Sequence, residues 1–186
     1  MKLILASKSP RRSQLLTEAG IEFEIRTADV EEVYPEGLDA LEVAPYLAKL
    51  KAEGSKHLLR SDDEVMLTAD SVVILDGVIF GKPADRDAAV ATLKKLSGRK
   101  HTVVTGCCLL NHAKSVVFAG VSDVYFNDLT AGEIDYYLDR WQPYDKAGSY
   151  GIQEWLGLAK IRRIEGTYPN IMGLPVDLVY AELRQF

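Results

Sequence analysis

The sequence offers almost no sulfur chemistry: only two of its 186 residues are cysteines, Cys107 and Cys108, adjacent in an apolar stretch. They form no C-x-x-C pair and no Cys/His ligand set, which excludes a disulfide framework or a zinc cluster, and they read as buried thiols of a reducing compartment. An excess of positive charge is missing too. Lysine and arginine number 22 against 27 aspartates and glutamates, a net charge of −5, so the field that draws proteins to nucleic acid regardless of sequence is absent. No nucleic-acid partner is expected. Apolar runs such as residues 3–6 and 116–119 fall far short of the ~18 residues of a membrane span. The few residues after Lys2 are likewise too short for a secretory signal, so no membrane partner and a cytoplasmic location are expected. What is present is ordinary globular composition, 47% apolar and 26% charged, at a length that suits one domain.

Hydrophobic patterning predicts a strand over residues 2–6 and a helix over 11–19, with Ser9 as N-cap, Pro10 at the first position and Gly20 at the end. A strand over 23–27, an acidic loop and a helix over about 39–53 follow, with Pro45 set to kink or restart that helix. Asp76-Gly77 between a strand over 66–75 and Val78-Ile79-Phe80 is a two-residue hairpin signal. A helix over 85–96, two neighbouring central strands over 102–110 and 115–126, and a helix over 130–141 with a Thr130/Glu133 capping box come next. The pattern ends with a strand over 158–164 and a helix over about 170–183. Interleaved strands and helices with a hairpin among them predict an α/β fold around a mixed, twisted sheet.

Five segments carry chemistry. Ser7-Lys8-Ser9-Pro10-Arg11-Arg12 enters a helix N-terminus, where unpaired N–H groups and cations favour an anion; alone, it reads equally as a capped surface helix with solvated arginines. Asp70 interrupts an apolar strand, where a carboxylate is costly unless a cation, a metal or several donors meet it. Lys82, between Gly81 and Pro83, follows the hairpin that starts near Asp70, and the two can face one cleft. Lys49 and Lys51 are two apart on a helix, so at most one points into a site. Glu31-Glu32 reads as an exposed loop and His101 as an ordinary structural histidine, its hydrogen bonds satisfied, at a strand start. The stretch from Asp145 to Gln153 combines glycines, which allow close backbone approach, with an amide able to pair with the imide edge of a base.

In their order these segments resemble the Maf family of nucleoside triphosphate pyrophosphatases. The matching pieces run from Ala6-Ser7-Lys8-Ser9-Pro10-Arg11-Arg12 through Leu47-Ala48-Lys49-Leu50-Lys51-Ala52, Ala69-Asp70-Ser71, Gly81-Lys82-Pro83, Ser97-Gly98-Arg99, Thr105-Gly106 and Asp145-Lys146-Ala147-Gly148 to Gly173-Leu174-Pro175. The resemblance implies one elongated α/β domain over 1–186, of the Maf and inosine triphosphatase type, with a deep nucleotide cleft. It also implies a divalent metal (Mg²⁺ or Mn²⁺), hydrolysis of a nucleoside triphosphate to monophosphate and pyrophosphate, and a possible homodimer. By position it makes Asp70 the general base and Ser7, Arg11, Arg12, Lys51 and Lys82 the phosphate contacts. Glu32 and Asp70 lie at the metal, and Arg12, Ser71 and Gln153 are specificity positions. Arg11-Arg12, Asp70-Ser71 and Gln153 resemble the subgroup acting on dTTP, UTP and modified pyrimidine triphosphates. A 7-methyl-GTP enzyme and a nucleotide-binding regulator of septum formation that does not turn its ligand over are the alternatives. Ser71 stands where that subgroup more often has threonine. Glu154 stands where the family usually has glycine, which stiffens the loop and brings a carboxylate within reach of the base or ribose.

Overall fold

The computed structural model describes residues 1–186. Seven strands form one sheet: β1 (Lys2–Leu5), β2 (Phe23–Ile25), β3 (Glu64–Leu75), β4 (Val78–Phe80), β5 (Lys100–Leu110), β6 (Ser115–Phe126) and β7 (Ile161–Glu165). Their order is β2-β1-β3-β5-β6-β7, with β4 paired to β3. β1 runs parallel to β2 and β3, while β3–β4 and β6–β7 are antiparallel. The α/β fold with a mixed sheet is the one expected. The chain divides into two compact units, one of Met1–Ser71, Thr105–Gly120 and Gly173–Phe186, the other of Val72–Val104 and Val121–Met172.

In the first unit, β1 delivers the chain to α1 (Pro10–Glu18), whose first residue is the proline that needs no N–H partner there. A loop then leads from β2 to α2 (Ala40–Ser55), capped by the Asp39 carboxylate on the Leu41 N–H at 2.8 Å. Pro45 sits inside α2 without ending it. β5 packs directly on this turn: a Cβ at Gly106 would stand 2.2 Å from the Pro45 nitrogen and 2.4 Å from the Ala44 carbonyl oxygen. Backbone therefore packs on backbone, at a point where the proline nitrogen carries no hydrogen. Ile4, Ala48, Ala52, Met66, Cys108 and Leu110 fill the core beneath. The Arg26 guanidinium forks onto the buried Glu64 carboxylate at 2.8 and 2.7 Å, which holds that carboxyl down to about 2.

In the second unit, Asp76 and Gly77 both take positive φ (52° and 75°), the geometry of a tight primed turn between β3 and β4. Asp85 caps α3 (Arg86–Leu96), and a capping box opens α4 (Ala131–Trp141). Val73, Leu93, Phe126, Tyr137 and Leu156 belong to its core. Two expectations fail here. Residues 158–160 end a helix, α5 (Trp155–Lys160), and do not begin a strand, because Gly157 packs against the Ile152 carbonyl and Leu158 is left 80% exposed. The closing helix is two helices, α6 (Tyr168–Met172), which ends this unit, and α7 (Val176–Leu183), which belongs to the first; the helix is broken where Gly173 takes φ 129°, a value L side chains avoid, ahead of Pro175.

Cys107 and Cys108 are successive residues of β5 and are both free and fully buried. Burial pushes each thiol up to about 12.

Candidate functional site

The N-terminal end of α1 is organised by Ser7 and Arg12. Ser9, at the N-cap, makes no side-chain capping bond; its own N–H donates instead to the Ser7 hydroxyl at 3.2 Å. Arg12 lies on the first turn. Its Nε donates to the Gly173 carbonyl at 2.8 Å, one terminal nitrogen to the Ala69 carbonyl at 2.8 Å and Ser7 Oγ at 3.2 Å, and the other to Ser71 Oγ at 3.3 Å. The interruption of the helix at Gly173 leaves free the carbonyl to which Arg12 donates. Burial lowers the Arg12 pKa from its ordinary value, and the nearby Asp70 carboxylate is the main influence opposing this. The guanidinium stays charged and holds the strand residues on either side of Asp70.

Asp70 lies on β3, mostly shielded, and its Oδ1 accepts from Lys51 Nζ at 2.6 Å. The same ammonium stands 2.8 Å from Glu32 Oε1, so a loop carboxylate, a helix lysine and a strand carboxylate converge on one point. Lys49 turns away toward Glu53 at 3.9 Å, as its spacing on α2 requires. Lys8, also pointing away, pairs with Asp29 at 2.5 Å in solvent. Arg11 occupies the first turn of α1, beside Arg12. Ser71 Oγ lies 2.9 Å from Thr105 Oγ1, a contact that ties the β3 segment to β5 and that the sequence did not signal.

No group of three or more His, Cys, Asp or Glu side chains is arranged to hold a metal ion. Asp70 and Glu32 nevertheless place two carboxylate oxygens around a single cationic point, now the Lys51 ammonium. Two oxygen donors suit a small, hard cation that completes its shell with water and phosphate.

Two further sequence candidates belong to the second unit. Lys82 is exposed in the turn after β4, and the Gly148 N–H donates to the Gly81 carbonyl beside it at 3.2 Å. Gly148 takes φ 72° against Val73, so the Asp145-Lys146-Ala147-Gly148 stretch fixes that turn by a close approach only glycine permits. Gln153 is partly buried, and its Oε1 is shielded from water with no hydrogen-bond partner. Glu154 does not reach outward from this loop: it accepts from the Tyr137 hydroxyl and pairs with Lys146 at 3.0 Å. His101 is buried, its Nε2 2.8 Å from the Tyr150 hydroxyl and its Nδ1 without a partner.

A family model described as "Maf-like protein" matches residues 2–186. A Porphyromonas gingivalis protein named dTTP/UTP pyrophosphatase is 51% identical over 188 residues, covering 100% of this chain and 94% of that protein. One of the same name from Parabacteroides distasonis is 48% identical, covering 100% and 96%. Among solved structures, the Staphylococcus aureus Ham1 protein shares the fold with a TM-score of 0.56 over 100% of this chain and 99% of that one, at 16% identity.

Proposed function

The chain belongs to the Maf family, and from that premise we propose that it hydrolyses dTTP, UTP and modified pyrimidine nucleoside triphosphates to the monophosphate and pyrophosphate. The observation that carries the reading is the convergence of Asp70 and Glu32 on the Lys51 ammonium, on a strand whose neighbouring residues Arg12 holds.

The roles are assigned by position in the family, and the geometry supports them as follows. Ser7 Oγ already accepts from the Ser9 N–H and from Arg12, so its O–H is the group left to donate to a phosphate oxygen. The uncapped first turn of α1 presents N–H groups and a partial positive charge for the same anion. Arg11 adds charge at this end. Lys51 offsets triphosphate charge and also fixes the orientation of Asp70. Asp70 takes the proton of a water that attacks the α-phosphorus in line, and the negative pyrophosphate group departs against the cations. Lys82 is the further phosphate contact that family position assigns. A divalent cation held by Asp70, Glu32 and phosphate oxygens would supply Lewis-acid neutralisation of the phosphate charge.

Base selection is assigned to Arg12, Ser71 and Gln153. The neutral amide at position 153 complements the N3–H and carbonyls of uracil and thymine, and the carboxylate that would better serve a guanine edge is absent from that position.

Pyrophosphate release with Mg²⁺ or Mn²⁺ across the common nucleoside triphosphates, 5-methyl-UTP and 7-methyl-GTP tests the reading. Turnover concentrated on UTP and dTTP, reduced by about 10²-fold or more in Asp70→Asn, is expected. Preference for 7-methyl-GTP would replace the substrate assignment. Nucleotide binding without turnover would replace the enzyme with a regulator.

A further inference from the structure

The loop that carries Gln153 is closed by the residue that follows it, Glu154. The Glu154 N–H donates to the Gly151 carbonyl at 3.1 Å, and the Glu154 side chain folds back over Gly151, where an added Cβ would meet its carboxyl carbon at 2.7 Å. There one carboxylate oxygen accepts from the Tyr137 hydroxyl and the other pairs with Lys146 Nζ at 3.0 Å. The Tyr137 oxygen in turn accepts the Gly151 N–H at 3.0 Å. Backbone, phenol and carboxylate thus form a ring of bonds around residues 151–154, and the Lys146 ammonium, which also pairs with Asp145 at 2.7 Å, joins it at the carboxylate. All of it is sheltered: Tyr137 is fully buried, and the side chains of Lys146 and Glu154 are 12% and 13% exposed. Burial and the adjacent carboxylate push the Tyr137 phenol far above its ordinary value, so it remains a donor. Trp155, next in the chain, stacks with Trp141 on α4, the helix that carries Tyr137.

We propose that Glu154 is the positioning residue for Gln153: by bridging Tyr137 and Lys146 it holds the 151–154 loop in one conformation, so that the Gln153 amide meets a pyrimidine base already ordered. The proposal rests on the pyrimidine pyrophosphatase reading. Its physical content is entropic. A flexible loop must be ordered by the substrate at the expense of affinity, while a bridged loop is ordered beforehand. Glycine at position 154 would leave Tyr137 and Lys146 without their common acceptor and the loop free to move. Gly151 belongs to the device, since the carboxylate rests where a larger residue would place its Cβ.

The test is steady-state formation of UMP from UTP by the native protein, Glu154→Gly, Glu154→Gln and Gly151→Ala, with pyrophosphate inhibition measured in parallel. Glu154→Gly should raise KM by about three- to tenfold, with kcat and the pyrophosphate inhibition constant within about twofold of native, since neither depends on the base contact. Glu154→Gln, which keeps an acceptor for Tyr137 or Lys146, should recover most of the loss. Gly151→Ala should reproduce the KM defect by displacing the carboxylate. An unchanged KM in Glu154→Gly and Gly151→Ala overturns the proposal. So does a rise in KM matched by an equal weakening of pyrophosphate inhibition, which would mean general damage. If Glu154→Gly does not fold, Glu154→Gln and Gly151→Ala decide by the same criteria. Native protein that yields no UMP from UTP, and no dTMP when dTTP is supplied instead, overturns the functional reading itself, and the proposal with it.

Discussion

The Lys51 ammonium is shared by two carboxylates, Asp70 at 2.6 Å and Glu32 at 2.8 Å. An ammonium and a divalent cation are rivals for such a place. Each needs the same oxygens, and the ammonium is tethered. In Lys51→Met the two carboxylates lose their internal counter-ion, so Mn²⁺ alone should bind the nucleotide-free protein more tightly than it binds the native one, as read by electron paramagnetic resonance. UTP turnover should fall by about 10²-fold. Unaltered Mn²⁺ affinity would count against these carboxylates as cation donors.

Arg12 joins Ser7, Ala69, Ser71 and Gly173, residues far apart in the chain. Lysine carries charge but no planar fork, and cannot serve acceptors arrayed in this way. Arg12→Lys should cost about 2–3 kcal/mol by leaving shielded acceptors unpaired, and calorimetry should show Tm lower by about 5–10 °C. A Tm within a degree of native would mean that the contacts are dispensable.

Gly106 has a different sensitivity. A methyl group there meets α2 backbone at Ala44 and Pro45, and no rotamer change can relieve it. Gly106→Ala should cost about 2 kcal/mol or more and shift α2. Because α2 also carries Lys51, turnover per folded molecule should fall together with the urea midpoint. Loss of stability with full specific activity would show that α2 adjusts without moving its lysine.

His101 makes stability depend on pH. Burial holds its imidazole down to about 4 from an ordinary 6.5. The unfolded chain therefore takes up the proton first. Its contribution is complete above about pH 6.5 and is lost as pH falls toward 4, amounting to about 3 kcal/mol. The Glu64 carboxyl, held to about 2, adds a loss only below about 4.5. Thermal melts between pH 6.5 and 4.5 should thus fall steeply for the native protein and less so for His101→Phe. Parallel slopes would remove the histidine from the account.

Features coded by adjacent residues were legible beforehand. Asp76-Gly77 specifies its turn through the positive φ of both residues, and Thr130 with Glu133 specifies a helix start. The spacing of Lys49 and Lys51 already required them to diverge. What escaped was decided at a distance. Nothing near Leu158 announces that Gly157 will pack on the Ile152 carbonyl and keep the segment helical. The break at Gly173 was visible as Gly-Leu-Pro, yet its use, a carbonyl for Arg12, depends on a partner 161 residues away. From the sequence alone, Glu154 is a carboxylate within reach of the base or ribose. Only the fold brings Tyr137 and Lys146 onto it.

The neighbouring thiols on β5 have a use beyond packing. Successive strand residues point to opposite faces of the sheet, yet Cys107 and Cys108 are both at 0% exposure. Sulfur reagents act on exposed thiolate, and here both exposure and ionisation are withheld. The rate at which a maleimide or an oxidant captures these two sulfurs is therefore set by how often the sheet opens. The protein carries its own clock for conformational opening, one sulfur facing each side.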